Sequence, residues 1–372
     1  MSSAKKFLWP LVTVGLFVCT IFADDWTVLR PNNRPYVTFG NVAQFYQFPE
    51  YTRVSRTVSL RSERRTIRAQ AGTSELSING VRFFTHFPLL NNNGEDLISV
   101  MDVSKIIEPV LRPSRIARSE KVDTVVLDPG HGGSDNGASS SWGSEKFFTL
   151  DVALAARREL IRAGYRVEMT RATDTAVSLE DRVNFANRFP RAVFVSIHFN
   201  SSAGDATGVE TYALAPEGVT SNMSSEHHVS AADVARHAGN VQDERNIALT
   251  ASIHANVLSK LAAFDRGVRH ARFHVLRDVK IPAVLVEGGF ISSVAEGERI
   301  ATSYYRQQLA VAIAQGIQNY NAAVNYRTQG ANFAVAKVTL PPHGRPISEP
   351  LGADMPPEQQ HHPPSISISA GE

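Results

Sequence analysis

Cysteine is nearly missing from this chain, with one, Cys19, in 372 residues. That excludes a disulfide framework and leaves the fold to rely on its core. Net charge is nearly missing too, at +2 from 38 Lys and Arg against 36 Asp and Glu. Bulk charge therefore points to neither a nucleic-acid nor an acidic-polymer partner. The compact spacing of a zinc finger or a His-Glu-x-x-His helix is absent. From Pro341 onward apolar residues become sparse among Pro, Ser, Gly, Gln and His. Such a tail is expected to be disordered, and His343, His361 and His362 in it are assigned no role.

Apolar content is 43%, ordinary for a chain with a proper core, and the length allows a full domain plus a smaller one. Residues 1–23 read as a secretory signal: Lys5-Lys6, an apolar run from Phe7 to Phe22, then Ala23 before Asp24-Asp25. The run is at the short end for spanning a bilayer, so removal is favoured over a retained anchor, and no stable membrane span is expected afterwards. Residues 24–118 read as a small β-rich domain. Thr57–Arg61 and Glu75–Phe84 alternate as strands, the latter around an Asn79-Gly80 hairpin turn. Leu97–Val100 suggests a strand and Val103–Val110 a short helix, before a charged linker from Arg112 to Lys121. Arg61, Arg64, Arg65 and Arg68 are read as a solvated basic face. Residues 119–326 alternate strand and helix, and 327–372 form the tail, with Val335–Leu340 as one added strand. The fold class expected is α/β, a mostly parallel or mixed sheet with helices on both faces, preceded by the small β-rich domain.

Three apolar strands end on chemistry-bearing residues. Val125-Val126-Leu127-Asp128-Pro129-Gly130-His131-Gly132-Gly133 delivers His131, Ala192–Asn200 delivers His198, and Pro282–Phe290 delivers Glu287. Strand ends are where α/β proteins place ligands. Glu145 stands just ahead of a helical pattern (Phe148, Val152, Ala155, Ala156, Leu160). Two His and one Glu with an open position form a known catalytic zinc set, and a spare carboxylate can serve as base for water.

These pieces resemble the zinc-dependent N-acetylmuramoyl-L-alanine amidases of bacterial cell-wall turnover. The matching motifs run in the family's order over roughly 121–325: Leu127–Gly133, Gly137-Ala138, Glu145-Lys146, Thr170-Arg171, Arg182 with Ala186-Asn187, Ser196–Asn200, Gly208–Thr211 and Pro282–Phe290. The resemblance implies that His131, Glu145 and His198 hold Zn2+ and that Glu287 is the catalytic acid–base group. It implies an exported enzyme of the periplasm or cell envelope acting on peptidoglycan, for wall remodelling or daughter-cell separation. A protein activator or wall-targeting partner is compatible with it. Residues 24–118 look faintly like the modules of copper-amine-oxidase N-terminal type found ahead of some wall hydrolases. Two rivals stand beside this reading: a zinc peptidase cutting within the stem peptide, and a non-catalytic wall-binding module.

Other residues carry plainer expectations. Asp128 either caps its turn or bonds a ligating imidazole. Arg171 and Arg182 are expected to pair with acids such as Asp174 and Asp181. Asn200 either contacts substrate or orients its loop. His254, His270 and His274 are placed on a helix, a linker and a strand over 272–276, His274 being the best spare candidate. His227-His228 read as exposed polar loop. The long connection 215–243, with a helix expected over Ser230–Ala238, resembles in position an insertion that gates the site in some family members.

Overall fold

The computed structural model describes residues 26–117, 120–222 and 229–326. The expected signal segment 1–23, the tail 327–372 with its Val335–Leu340 strand, and His227-His228 lie outside the described residues.

The unbroken apolar runs are explained by burial on two faces. Val125, Leu127, Val193, Val195, Ile197, Val284 and Val286 join one core. Their neighbours Val126, Ala192, Phe194, Ala283 and Leu285 point the other way into a second. A strand covered on both sides has no need for polar alternation. Eleven strands build the sheet: β1 Glu50–Val54, β2 Thr57–Arg61, β3 Thr66–Gln70, β4 Glu75–Ile78, β5 Val81–Phe84, β6 Thr124–Pro129, β7 Arg166–Met169, β8 Ala192–Asn200, β9 Val209–Leu214, β10 Asp265–Ala271 and β11 Ala283–Phe290. Their order is β7-β6-β8-β11-β9-β10-β5-β4-β3-β2-β1.

The sheet is mixed. Strands β7, β6, β8 and β11 are mutually parallel, and β9 runs antiparallel to β11. Five helices carry labels here: α1 Glu145–Arg162, α2 Leu179–Ala186, α3 Asp243–Leu261, α4 Val294–Ala301 and α5 Ser303–Asn325. The interiors of α1, α3 and α5 fill the first core, and α5 packs on both α1 and α3. Val183 and Ala186 of α2, with Val275 and Leu276, fill the second.

The N-terminal strands continue this same sheet. Phe83 of β5 pairs with Val268 of β10 in parallel, and the Arg82 backbone N–H donates to Asp265 at 2.9 Å. The Asn79-Gly80 turn between β4 and β5 takes the positive φ values, 53° and 85°, that a tight hairpin asks for. Because β5 runs parallel to β10, this turn and the 62–65 turn lie on the rim where β10 begins. Arg61 and Arg64 are exposed there, while Arg65 is half-buried and donates to the Tyr46 carbonyl.

Several local expectations need correction. The strand expected over 272–276 is the one-turn helix His274–Arg277, and the strand before it is β10. His274 is therefore not on a strand beside Glu287, and His270, expected in a linker, is buried within β10. His254 is buried, sharing hydrogen bonds with Thr211 and Asp265 at 3.0 and 2.9 Å. Ser230–Ala238 holds short 3-10 turns rather than a helix. Helix α4 was not anticipated.

The long connection leaves from the rim opposite β11's catalytic-looking end. Glu210 at the start of β9 faces Glu287, so Leu214 ends far from it. Residues 216–222 are tied instead to the end of β10, where Arg272 donates to the Pro216 and Val219 carbonyls and Asn222 donates to His270. Residues 216–222 are thereby held away from His131 and Glu287.

Candidate metal centre

The first loop is strained into place. After Pro129 the chain turns so sharply that His131 adopts φ 60°. That left-handed conformation costs a non-glycine residue on the order of 1–2 kcal/mol. Buried arginines hold it there. Arg182 donates to the carbonyls of Pro129 and His131 at 2.7 and 2.8 Å, and Arg171 donates to those of Pro129 and Gly130 at 3.0 and 2.8 Å. Glycine is required on either side for space. A Cβ on Gly130 would stand 2.2 Å from the His198 ring, and one on Gly137 would stand 2.5 Å from both Glu145 and His131.

Asp128 is fully buried and spends its carboxylate on Arg182 at 2.6 Å, Thr170 at 2.6 Å and Ser196 at 2.8 Å. Of its two expected roles, the bond to an imidazole is not made. Removing one member of such a buried pair costs about 3–5 kcal/mol, because the other charge is stranded. Arg182 thus pairs with an acid as expected, but with Asp128 rather than Asp181, while Arg171 donates to carbonyls rather than to Asp174. Asp174 instead accepts from the Gly133 N–H at 2.8 Å and lies 3.1 Å from the Lys146 ammonium.

Three of the four candidate residues converge. Glu145 opens α1, and its two oxygens lie 3.1 Å from His131 Nε2 and 3.0 Å from His198 Nδ1. The imidazoles meet edge to face at 4.9 Å. One donor atom from each of His131, Glu145 and His198 falls within a common span of 4.8 Å. The buried Glu145 carboxylate also accepts the backbone N–H groups of Ala138 and Phe199 at 2.9 and 3.0 Å. Burial alone would raise its pKa, but the two histidines outweigh that and hold it far below the ordinary range. For His131, burial works against the charged ring, while Glu145 and Asp135 reverse the balance and raise it.

Asp135 is the residue that sequence reasoning missed. Its carboxylate accepts from His131 Nδ1 at 2.8 Å, the arrangement that fixes the ring of a metal-ligating histidine with Nε2 inward. Its four-residue offset in a glycine-rich loop was the available signal, and the reciprocal backbone bonds between Gly132 and Asp135 close that loop.

Glu287 sits beside the set on β11, in register with His198 on β8. Its Oε2 is buried with no hydrogen-bond partner among the described residues. Burial, then the carboxylates of Glu145 and Glu210, push it well above the usual carboxylate range. Next to it, Glu210 is held by Arg266 at 2.6 Å and by the Tyr212 hydroxyl. Asn200 donates to Glu210 at 3.4 Å and accepts from the Ser201 N–H, which places it in the loop's own bonding.

Residues 125–319 match the sequence profile of the family described as N-acetylmuramoyl-L-alanine amidase. The chain belongs to this family. All four candidate residues fall inside the matched region of the amidase. It is 35% identical over 196 residues to the sporulation-specific N-acetylmuramoyl-L-alanine amidase of Bacillus subtilis, covering 52% of this chain and 66% of that protein. It is 33% identical over 217 residues to the N-acetylmuramoyl-L-alanine amidase AmiA of Escherichia coli, covering 53% of this chain and 75% of that one. Among solved structures, the amidase AmiC2 of Nostoc punctiforme is 32% identical, with a TM-score of 0.45 over 54% of this chain and 98% of that chain.

The donors present fit zinc. Two imidazole nitrogens and a carboxylate oxygen are a borderline set that suits this ion, and they leave a coordination position open. The partnerless Glu287 oxygen beside them fits the same picture, since a buried polar atom without a partner calls for one.

Proposed function

We propose that this amidase is an exported zinc hydrolase that cleaves the amide between N-acetylmuramic acid and L-alanine in peptidoglycan, in wall remodelling or daughter-cell separation. The observation that carries the reading is the buried Glu287 Oε2, without a hydrogen-bond partner among the described residues, beside a converged His131–Glu145–His198 set within the matched region. In this reading His131 Nε2, Glu145 and His198 Nδ1 hold Zn2+. When bound, the ion would supply Lewis-acid polarisation of the lactyl carbonyl and acidify water. Glu287 takes a proton from the attacking water. As the amide C–N bond breaks, it returns that proton to the departing amine of L-alanine. Asp135 keeps His131 oriented, and Arg171 and Arg182 keep the loop closed.

The proposal includes a division of labour along the chain. Residues 1–23 act as a signal that is removed, placing the enzyme in the periplasm or cell envelope. Residues 24–118 act as a domain that positions residues 119–326 on the wall or on a protein activator. Its 62–65 and 79–80 turns share the rim of the sheet on which His198 and Glu287 are presented. Among the described residues no helix is long and apolar enough to cross a membrane.

Mass spectrometry of sacculi digested by the secreted enzyme tests the cleavage. Intact stem peptides beginning at L-alanine, released from peptide-free glycan, are expected. Fragments cut between stem residues would replace this reading with the zinc peptidase, and no release at all would leave a wall-binding module.

A further inference from the structure

An enzyme that cuts at the lactyl group of muramic acid must hold a sugar close to its reacting atoms, because that group is an ether substituent of the ring. In a polymer, further sugars flank that one. A short hairpin leads directly into Glu145. Ser139 pairs with Ser144 and Ser140 with Gly143, so its two-residue turn is Ser141-Trp142. Turns of this kind favour Asn, Asp or Gly, and the hairpin itself has no use for an indole.

The indole is neither loose nor hidden. Trp142 is 39% exposed. One edge is seated against the first turn of α4, where a Cβ on Gly297 would stand 2.7 Å from Cδ1 and 3.1 Å from Nε1. Helix α4 follows β11 almost directly, so the tip of the hairpin joins the element after Glu287 to the strand that leads into Glu145. Three residues of chain reach at most about 11 Å, which bounds the distance from the Glu145 backbone to that of Trp142.

We propose that Trp142 is the platform of a glycan subsite, on which the sugar neighbouring the cleaved muramic acid stacks its C–H face. This rests on the amidase reading above. A pyranose offers an apolar patch of axial hydrogens, and a tryptophan offers a broad, rigid surface that loses few rotamers on binding. The seat on Gly297 fixes the ring before the sugar arrives, which removes part of the ordering cost.

Calorimetric titration of the holoenzyme with a peptide-free tetrasaccharide of alternating N-acetylglucosamine and N-acetylmuramic acid tests the subsite apart from catalysis. Saturable binding is expected in the unaltered enzyme, about tenfold weaker in Trp142→Ala and largely kept in Trp142→Phe. In kinetics, Trp142→Ala should raise KM on whole peptidoglycan about tenfold with kcat kept. It should leave cleavage of an N-acetylmuramoyl-peptide without flanking sugars unchanged. No glycan binding in the unaltered enzyme, equal binding by Trp142→Ala, or an equal fall in kcat on both substrates would overturn the subsite. Failure of the amidase reading would show differently, as absence of amide cleavage on both substrates by the unaltered enzyme.

Discussion

Glu287→Gln should abolish most turnover while leaving the protein folded and its zinc bound. The expected loss in kcat on purified peptidoglycan is about a hundredfold or more, the upper part of the range for a positioned acid–base group. The substitution keeps the shape of the side chain and removes only its ability to take and return a proton. A second consequence separates this role from a structural one. The Glu287 carboxyl is buried, lacks a partner at Oε2 and is opposed by Glu145 and Glu210. A neutral amide relieves that opposition, so the variant's thermal midpoint should be equal to or above that of the unaltered protein. Active sites commonly hold such groups at the expense of stability. Full activity in Glu287→Gln, measured alongside zinc content, would remove Glu287 from the mechanism.

His131→Ala should lose both metal and activity. Two donors remain after this change, and Glu145 loses one of the two imidazoles that hold its carboxylate ionised. Zinc per chain after dialysis is expected to fall from about one toward zero, with activity falling alongside. Asp135→Ala provides a graded comparison, since it leaves all three donors and frees only the orientation of His131. A loss of about 10–100-fold in metal affinity is the usual scale for such an outer partner. Retention of full zinc by His131→Ala would show that the ion is held elsewhere.

The parts of the site carried by strands were legible because burial on two faces writes an unbroken apolar run into the sequence. Val125–Leu127, Val193–Val195 and Val284–Val286 each show one, and each leads to a residue of the site. Glu145 was legible because the amphipathic pattern of α1 begins beside it. What escaped were contacts created by unusual backbone. Asp135 meets His131 only because His131 turns through a positive φ, and Arg171 and Arg182 find carbonyls of that turn, with Arg182 also paired to the buried Asp128 rather than to Asp181 beside it.

Strand β10 was misplaced for a related reason. Asp265–Ala271 carries Arg266, Arg269 and His270, which argue against a buried strand by composition. Inside the fold Arg266 is paired with Glu210 at 2.6 Å, Arg269 lies over the Phe84 ring at 4.0 Å, and His270 packs on His86 at 4.5 Å. The more apolar 272–276 drew the expectation instead. The junction between β5 and β10 was equally invisible, since one backbone bridge and one bond from Arg82 leave no periodic trace.

Anomalous diffraction at the zinc edge, from crystals of the zinc-loaded protein, tests the central arrangement most directly. One peak is expected within bonding distance of His131 Nε2, a Glu145 oxygen and His198 Nδ1, with the Glu287 carboxyl facing its open side. A peak at any other group of residues, or Glu287 turned away from the ion, would contradict it.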